Sequence, residues 1–443
     1  MVNGPLLTSV IVYAFPLMLS GILQLLFNAA DVIVVGRFAG SSALAAVGST
    51  GSLTNLLINL FFGLSIGTNV LVARYYGARD FEKIQHTVNT SIITAAVGGV
   101  ILVFMGFFLS RPLLAMMGTP DDVIDQSVLY MRIYFGGMPF LMLYNFGAAI
   151  LRSVGDTRRP LYYLTIAGVV NVGLNMIMVI VFHMGVAGVA IATVASQAVS
   201  CVLVIRCLVH NEGAIHLNLR HLTFDKSCMT EMLKIGLPAG FQGMMFNISN
   251  VLIQSSVNSF GSLVMAGNTA AANVEGFVYT AMNAFYQTNL SFTSQNYGAK
   301  NYKRINKVLF TCLGLVVAVG AVLGNGAYLL GEHLLGFYTT DPQVVAYGMN
   351  RLAIVSTLYF LCGIMDVMVG SIRGLGYAIM PMIVSLMGAC VFRVVWIFTV
   401  FKLYHTQFSL YISYPISWTI TFAVHLICFF AVRKKVLERM EKQ

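Results

Sequence analysis

Charged side chains are scarce in this chain. Only 9% of its 443 residues are Asp, Glu, Lys or Arg, whereas soluble domains carry roughly 25%. Apolar residues make up 58% of the chain, and the mean hydropathy is +0.81. So little charge cannot cover the surface of a soluble domain, and we therefore expect an integral membrane protein.

Nucleotide-binding and metalloprotease motifs are also missing. The sequence has no G-x-x-x-x-G-K-[ST] and no H-E-x-x-H, so a built-in ATPase is excluded and an intramembrane metalloprotease is disfavoured. The seven cysteines are scattered without a C-x-x-C pair, and we interpret them as small apolar residues. We predict no enzyme activity and no cofactor. Any transport must then use an ion gradient or the gradient of the substrate itself.

Long apolar segments predict the fold class. Each is long enough to cross a bilayer as a helix of about 20 residues. The first continues past residue 30 without a preceding basic region, so we expect a retained helix and no signal peptide. The twelve segments are approximately 8–36, 44–72, 86–110, 122–150, 161–182, 186–209, 231–257, 262–291, 307–330, 343–371, 380–401 and 410–432. We predict an all-α integral membrane protein with twelve transmembrane helices.

The two halves of the chain resemble each other. Tyr76–Arg79 returns as Tyr297–Lys300, half the chain length later, and the pattern R-x-x-G-x-x-x-x-P that begins at Arg152 returns at Arg373 with the same offset. Two related halves with six helices each are typical of transporters built around a central cavity, and six helices per half make the halves parallel. We predict an N-terminal lobe at 1–215, a cytoplasmic linker at 216–230 and a C-terminal lobe at 231–443.

Basic residues alternate between successive loops, which predicts the topology. By the positive-inside rule the basic loops are cytoplasmic, and both termini are then cytoplasmic in the inner (plasma) membrane. The net charge of +10 lies in these loops and forms no basic stripe, so no nucleic-acid partner is expected. The basic loops and tail contain Arg74, Arg79, Lys83, Arg152, Arg158, Arg159, Arg220, Lys226, Lys300, Lys303, Arg304, Lys307, Arg373 and Arg433–Lys435, whereas the opposite loops contain Asp121, Asp122, Asp125, Glu332 and Asp341.

Asp31 is the clearest polar group inside an apolar segment. No Lys or Arg lies within one turn of it, and such a carboxyl can hold a proton or bind Na⁺. Asn171 and Asn175 are four residues apart and share one helix face, where they could complete a cation shell or act as interhelical hydrogen-bond groups. Thr193 is a weaker candidate. The repeat places Ile253 opposite Asp31 and Trp396 opposite Asn175, so this site belongs to the first half alone.

The second half has separate candidates. Glu275 has no basic neighbour in the sequence and could carry a proton or contact a cationic substrate. Arg393 is an intramembrane cation that could pair with an acid, contact an anionic substrate or serve the structure. Asp366 is a weaker candidate close to a helix end. Arg132 and Arg351 occupy similar places in the two halves, which favours a shared structural or interfacial role.

The chain resembles the multidrug and toxic compound extrusion (MATE) family. Asp31 is followed by Gly36-Arg37 and Ala43–Gly48, and later segments add two further motifs, Arg152–Thr157 with Pro160 and Gln295–Ala299. The resemblance covers essentially the whole chain. It implies two six-helix lobes around a V-shaped cavity, alternating access, and export of cationic and amphipathic compounds in exchange for Na⁺ or H⁺.

The resemblance also assigns residues. The first-lobe cation site falls on Asp31, Asn171, Asn175 and Thr193, which would also be the Na⁺ ligands. Asn175 replaces an aspartate of some members, which leaves the coupling ion open. The bending proline of the first helix falls on Pro16, with Pro238 as its counterpart, and the substrate cavity falls on Gln24 and Asn28. Asn247 and Cys362 stand where some members have second-lobe acids, so Glu275 is the remaining acid candidate there.

Three functions remain open at this point. The favoured one is a cation-coupled multidrug exporter that acts as a monomer in the lipid bilayer on small organic substrates. The alternatives are a flippase for a lipid-linked oligosaccharide or polysaccharide and an exporter of an endogenous metabolite. A flippase cavity should contain several basic residues to hold pyrophosphate, and this chain has few intramembrane arginines. A membrane protein without transport activity is disfavoured by the repeated lobes.

Overall fold

A computed structural model describes the backbone of residues 1–441 and the side chains of residues 1–439, and most of these residues are helical. No β-strand occurs in that range. The helices are α1 Leu6–Phe38, α2 Ser41–Gly77, α3 Phe81–Met116, α4 Asp121–Gly136, α5 Met138–Ser153, α6 Arg158–Asn175, α7 Gly185–Val209, α8 Lys226–Asn258, α9 Ser262–Gly298, α10 Tyr302–Leu329, α11 Gly331–Gly336, α12 Pro342–Arg351, α13 Phe360–Gly374, α14 Ile379–Ser385, α15 Phe392–Trp396, α16 Gln407–Tyr411 and α17 Ser413–Glu441. Four of them, α6, α12, α14 and α15, continue into short π-helical segments.

These helices correspond to the predicted membrane spans, but two of the spans are bent and two of the helices are more polar than the others. Helices α4 and α5 make one span bent by 46°, and α12 and α13 make another bent by 44°. Counting each bent pair as one span, ten spans within residues 1–441 are long and apolar enough to cross a membrane. Helices α8 and α9 have 33 and 37 residues but are more polar. Helix α8 carries charged residues such as Glu231 and Lys234, and α9 carries Asn268 and Asn289, which are buried inside the protein. The all-α fold class is confirmed.

The sequence repeat is visible in the backbone. Gly40 and Gly261 have φ of 93° and 99°, and Arg79 and Lys300 both have φ of 56°. Both pairs are related by the offset of the sequence repeat. Positive φ favours glycine because a Cβ atom is crowded there, so the two non-glycine residues mark turns fixed by their surroundings. Related sequences therefore produce the same helix ends in both halves.

The first compact unit comprises Leu19–Met244. Within it, α2 and α8 approach so closely that their backbones touch. A Cβ atom on Gly63 would lie 2.3 Å from the carbonyl oxygen of Gly236, and one on Gly67 would lie 2.5 Å from that of Met232. Small residues permit such approaches between membrane helices, where packing provides much of the association energy.

The second compact unit comprises residues 1–18 and residues from 245 onward. Helices α9 and α13 pack together in it, where the buried Asn289 donates hydrogen bonds to the Val367 carbonyl at 2.7 Å and to the Ser371 hydroxyl at 2.6 Å. The start of α1 joins this unit through Tyr13, whose hydroxyl donates to Ser291 at 2.8 Å. These buried hydrogen bonds fix the helices relative to one another.

The compact units divide the chain at different points from the predicted lobes. The division falls within α1, between residues 18 and 19, and within α8, between residues 244 and 245. Each division follows a proline inside the helix, Pro16 or Pro238. The reason is that each of these long continuous helices packs its two ends into different cores. The lobe boundaries at 215 and 231, and a bend at Pro16, stay predictions.

Candidate functional site

Asp31 lies where α1 meets α6. Its carboxylate accepts hydrogen bonds from Asn171 Nδ2 at 3.1 Å (Oδ1) and 3.3 Å (Oδ2), and a further, short one from Asn175 Nδ2. Asn171 and Asn175 are 6% and 0% exposed. The structure therefore brings together three of the four predicted site residues, and the four-residue spacing places both amides on the same face of α6.

The amide oxygens at this site have no partner. Asn171 Oδ1 and Asn175 Oδ1 are both buried without a hydrogen bond, which is costly for a polar atom in an apolar interior. Asp31 forms no ion pair within the part of the chain described, residues 1–439. A carboxylate with two free amide oxygens is a set of hard oxygen ligands, and hard ligands suit Na⁺.

Thr193 does not join this network directly. Its hydroxyl donates to the Val189 carbonyl of its own helix, α7, at 3.0 Å, and the side chain is half-buried. Threonine makes this local bond readily within helices. Gln24 and Asn28, predicted to contact substrate, are exposed on α1. The roles of these three residues stay predictions.

Two tyrosines near Asp31 were missed by the sequence reasoning. Tyr130 and Tyr134 of α4 are within electrostatic range of the Asp31 carboxylate, and their rings stack with centroids 5.9 Å apart. Tyr134 also hydrogen-bonds to Gln197 of α7. The signal was their spacing of four residues on one helix face. They extend the polar group from α1 and α6 to α4.

The Glu275 carboxylate, which has no basic neighbour in the sequence, is paired with Arg351 in the structure. Arg351 Nη2 lies 2.9 Å from Glu275 Oε2, and Arg351 Nε donates to both carboxylate oxygens at 3.2 and 3.1 Å. Arg351 also donates to Asn268 Oδ1 at 2.8 Å. The partner lies far away in the sequence, on α12, so inspection of α9 alone could not reveal it. A carboxylate held this way is a poor candidate for binding a coupling cation.

Arg132 and Arg351 differ in their surroundings. Arg132 is exposed, donates to the Phe107 carbonyl at 3.2 Å and stacks on the Phe107 ring at 4.7 Å. Arg351 is buried and paired with Glu275. The two arginines therefore have different partners, because Arg351 meets the buried carboxylate of Glu275. A shared structural or interfacial role stays a prediction.

The remaining second-half candidates lie apart from any carboxylate ligand set. Arg393 is 6% exposed, and its Nε donates to the Ser417 hydroxyl at 3.0 Å. Asn247 is half-buried on α8. Asp366 of α13 accepts a hydrogen bond from Tyr279 of α9. Within the residues described, no group of three or more His, Cys, Asp or Glu side chains could hold a metal ion.

A family comparison identifies the chain. The MatE family model matches residues 16–177 and again residues 238–399. The protein belongs to the MatE family. The two matches begin at Pro16 and Pro238 and cover both halves, which confirms the internal repeat and the resemblance found in the sequence. The chain is thus a member of a family of multi-pass membrane transporters.

Curated relatives and solved structures agree with this assignment. The probable multidrug resistance protein YoeA of Bacillus subtilis (strain 168) is 28% identical over 385 residues, which cover 85% of this chain and 83% of that protein. The multidrug export protein MepA of Staphylococcus saprophyticus is 21% identical over 366 residues, with 82% and 80% covered. An outward-facing MATE family multidrug resistance transporter has a TM-score of 0.91 and 21% identity, over 100% of this chain and 98% of the other. That structural match shows the fold alone.

Proposed function

We propose that the protein is a secondary active exporter that exchanges Na⁺ or H⁺ for amphipathic and cationic organic compounds. One observation carries the proposal, namely the unpaired Asp31 carboxylate beside two buried amide oxygens without partners. The relatives named as multidrug resistance and export proteins support the substrate class. The absence of an ATPase motif makes an ion gradient the expected energy source.

The amides can serve two states of the site. In the arrangement described, both Nδ2 groups face Asp31, which suits an ionised carboxylate without a cation. When a proton or Na⁺ binds, the carboxyl needs oxygen partners, and rotation of either amide by half a turn would supply Oδ1. Amide nitrogen and oxygen have the same shape, so this rotation needs no backbone movement. The site can therefore change between a cation-free and a cation-bound state by rotation of these side chains alone.

Charge explains why such an exchange would drive transport. An ionised acid inside a membrane protein is costly by at least about 2.5 kcal/mol at the bilayer centre, and a bound cation removes that cost. A cationic substrate could neutralise the same carboxylate. Competition between the coupling ion and the substrate for Asp31 links their movements, and alternating access would carry them in opposite directions.

We further propose a plasma-membrane location with both termini in the cytoplasm. The basic loops lie on the side of the termini, and the acidic loops lie on the other side. Both halves of the repeat are present in one chain, so a monomer holds all the proposed parts. No resident cofactor and no nucleic-acid partner are needed for this activity.

Dye efflux from proteoliposomes tests the proposal. Purified protein is reconstituted with the cationic dye ethidium inside, and Na⁺ and pH gradients are imposed separately. We expect one gradient to drive efflux in the wild type and in Asp125→Asn, which removes an exposed carboxylate of a surface ion pair. We expect Asp31→Asn to abolish the gradient-driven component.

The outcomes separate the open alternatives. Efflux that persists in Asp31→Asn would contradict the proposed coupling site. The absence of gradient-driven efflux in the wild type would contradict multidrug export, and lipid-linked oligosaccharides and endogenous metabolites would then be tested as cargo. The ion whose gradient drives efflux is the coupling ion.

A further inference from the structure

Two buried arginines of the second compact unit share one aromatic ring. The guanidinium of Arg351 lies 5.3 Å from the centroid of the Tyr414 ring, and that of Arg393 lies 4.4 Å from it. Arg393 also stacks on Trp418 at 5.7 Å. Cation–π contacts of this kind stabilise a desolvated cation by less than the burial of its charge costs. Each arginine therefore needs a further anionic partner.

Only one of the two arginines has such a partner. Arg351 is bound through two nitrogens to Glu275, whereas Arg393 has one hydrogen bond, to the neutral Ser417 hydroxyl. Arg393 forms no ion pair with any carboxylate in residues 1–439. Asp366, an acid of the same unit, accepts a hydrogen bond from Tyr279. The described part of the unit thus holds a buried cation, Arg393, that forms no ion pair with an acid.

The first half of the repeat has no equivalent of this charge. The offset of the repeat places Val172 opposite Arg393, between the two asparagines of the Asp31 site. Among the residues described, the first half contains an acid without an ion pair, Asp31, and the second half contains a cation without one, Arg393. A structural arginine needed by the shared fold would be expected in both halves, so a role particular to the second half is favoured.

From these contacts we propose that Arg393 is an anion-binding site that takes the carboxylate of an organic substrate. The guanidinium presents a planar fork of N–H donors, which matches the two oxygens of a carboxylate. The rings of Tyr414 and Trp418 lie against the guanidinium, and among the residues described its only hydrogen bond is the one from Nε to Ser417. The same two rings suit an apolar body attached to the acid. The substrates of the proposed exporter therefore include amphipathic carboxylates, and this inference rests on the proposed function.

Intrinsic fluorescence provides a direct binding assay. The chain has two tryptophans, Trp396 and Trp418, and the second stacks on Arg393. In a Trp396→Phe background, purified full-length protein is titrated with cyclohexanecarboxylate, with its neutral isostere cyclohexanecarboxamide, with inorganic phosphate and with chloride. We expect a saturable change with the carboxylate and none with the amide.

Variants of Arg393 connect this signal to the guanidinium. We expect Arg393→Gln to weaken carboxylate binding about 10- to 100-fold, the size of a lost charged hydrogen-bond pair. Arg393→Lys keeps the charge without the planar fork, so its carboxylate affinity should lie between those of the parent and of Arg393→Gln. This variant keeps the test valid if Arg393→Gln unfolds. Arg132→Gln removes an exposed arginine of the first half and should bind as tightly as its parent.

Every outcome decides the proposal. The absence of saturable carboxylate binding, or unchanged affinity in Arg393→Gln and Arg393→Lys, would overturn it. Equal competition by chloride or phosphate would replace it with an inorganic-anion site. Binding is measured without a gradient, and Asp31→Asn should retain it. The absence of gradient-driven efflux in the wild type, with intact carboxylate binding, would therefore contradict the proposed coupling function and leave this site in place.

Discussion

Removing the Glu275 carboxylate leaves Arg351 as a buried cation without its acid. Arg351 is 8% exposed, and three of its hydrogen-bond contacts are to Glu275. The remaining partners are the Asn268 amide oxygen at 2.8 Å and the faces of two tyrosine rings. None of these carries a negative charge. Substitution of Glu275 by Met should therefore destabilise the protein much more than the loss of one hydrogen bond would.

The expected magnitude follows from the burial of the pair. Breaking a buried ion pair at one partner costs about 3–5 kcal/mol, whereas replacing both partners with apolar residues of similar size is often close to neutral. We expect Glu275→Met and Arg351→Met each to cost within that range and the double variant to cost less than either one. The exposed pair of Arg111 and Asp125, with atoms 2.6 Å apart, is the control, and its loss should cost less than about 1 kcal/mol.

The assay is a double-mutant cycle. The free energy of unfolding is measured by denaturant titration in detergent micelles for the wild type, the two single variants and the double variant. A large coupling energy supports a dry, tightly paired site. Additive costs, within about 0.5 kcal/mol, would refute the reasoning, because additivity means that the two side chains act independently.

Two further predictions concern α2 and α8. Gly63→Ala should lower the melting temperature in detergent because its Cβ would lie 2.3 Å from the Gly236 carbonyl oxygen. Gly51→Ala on the same helix meets nothing within 4 Å and should leave the melting temperature unchanged. Equal melting temperatures of the two variants would contradict this. Hydrogen bonds from the backbone N–H groups of Ser227 and Cys228 lower the pKa of Asp225 at the start of α8. Because the folded-state pKa is the lower one, this stabilisation is present above about pH 4 and is lost in acid as the pH falls through the folded pKa. Hydrogen exchange of the first turn of α8 should show an acid-induced loss of protection that Asp225→Asn lacks, and the same loss in both proteins would contradict it.

Much of the fold could be predicted from the sequence because the relevant signals are local. Apolar length predicts the spans, and the repeat predicts that paired helix ends such as Gly40 and Gly261 adopt the same backbone conformation. The grouping of Asn171 and Asn175 followed from their spacing on α6, and Asp31 followed from its lack of a basic neighbour. These inferences need one helix at a time.

The features that sequence reasoning missed depend on contacts between helices. The pairing of Glu275 with Arg351 joins α9 to α12, two helices with α10 and α11 between them in the chain, and no spacing rule predicts which helix faces meet. The placement of Tyr130 near Asp31 is of the same kind. The division of α1 between two compact units also depends on packing, since the helix continues unbroken from Leu6 to Phe38.

Substrate-driven cation flux through proteoliposomes tests the central claim most directly. An inward-directed gradient of ethidium is imposed without any ion gradient, and the opposite movement of ²²Na⁺ or of protons, reported by an internal pH dye, is recorded. Exchange through Asp31 predicts that substrate drives movement of one of these cations in the wild type and in Asp125→Asn, and that the movement is absent in Asp31→Asn. Equal cation movement in Asp31→Asn and wild type, or substrate movement without cation movement in the wild type, would contradict the account.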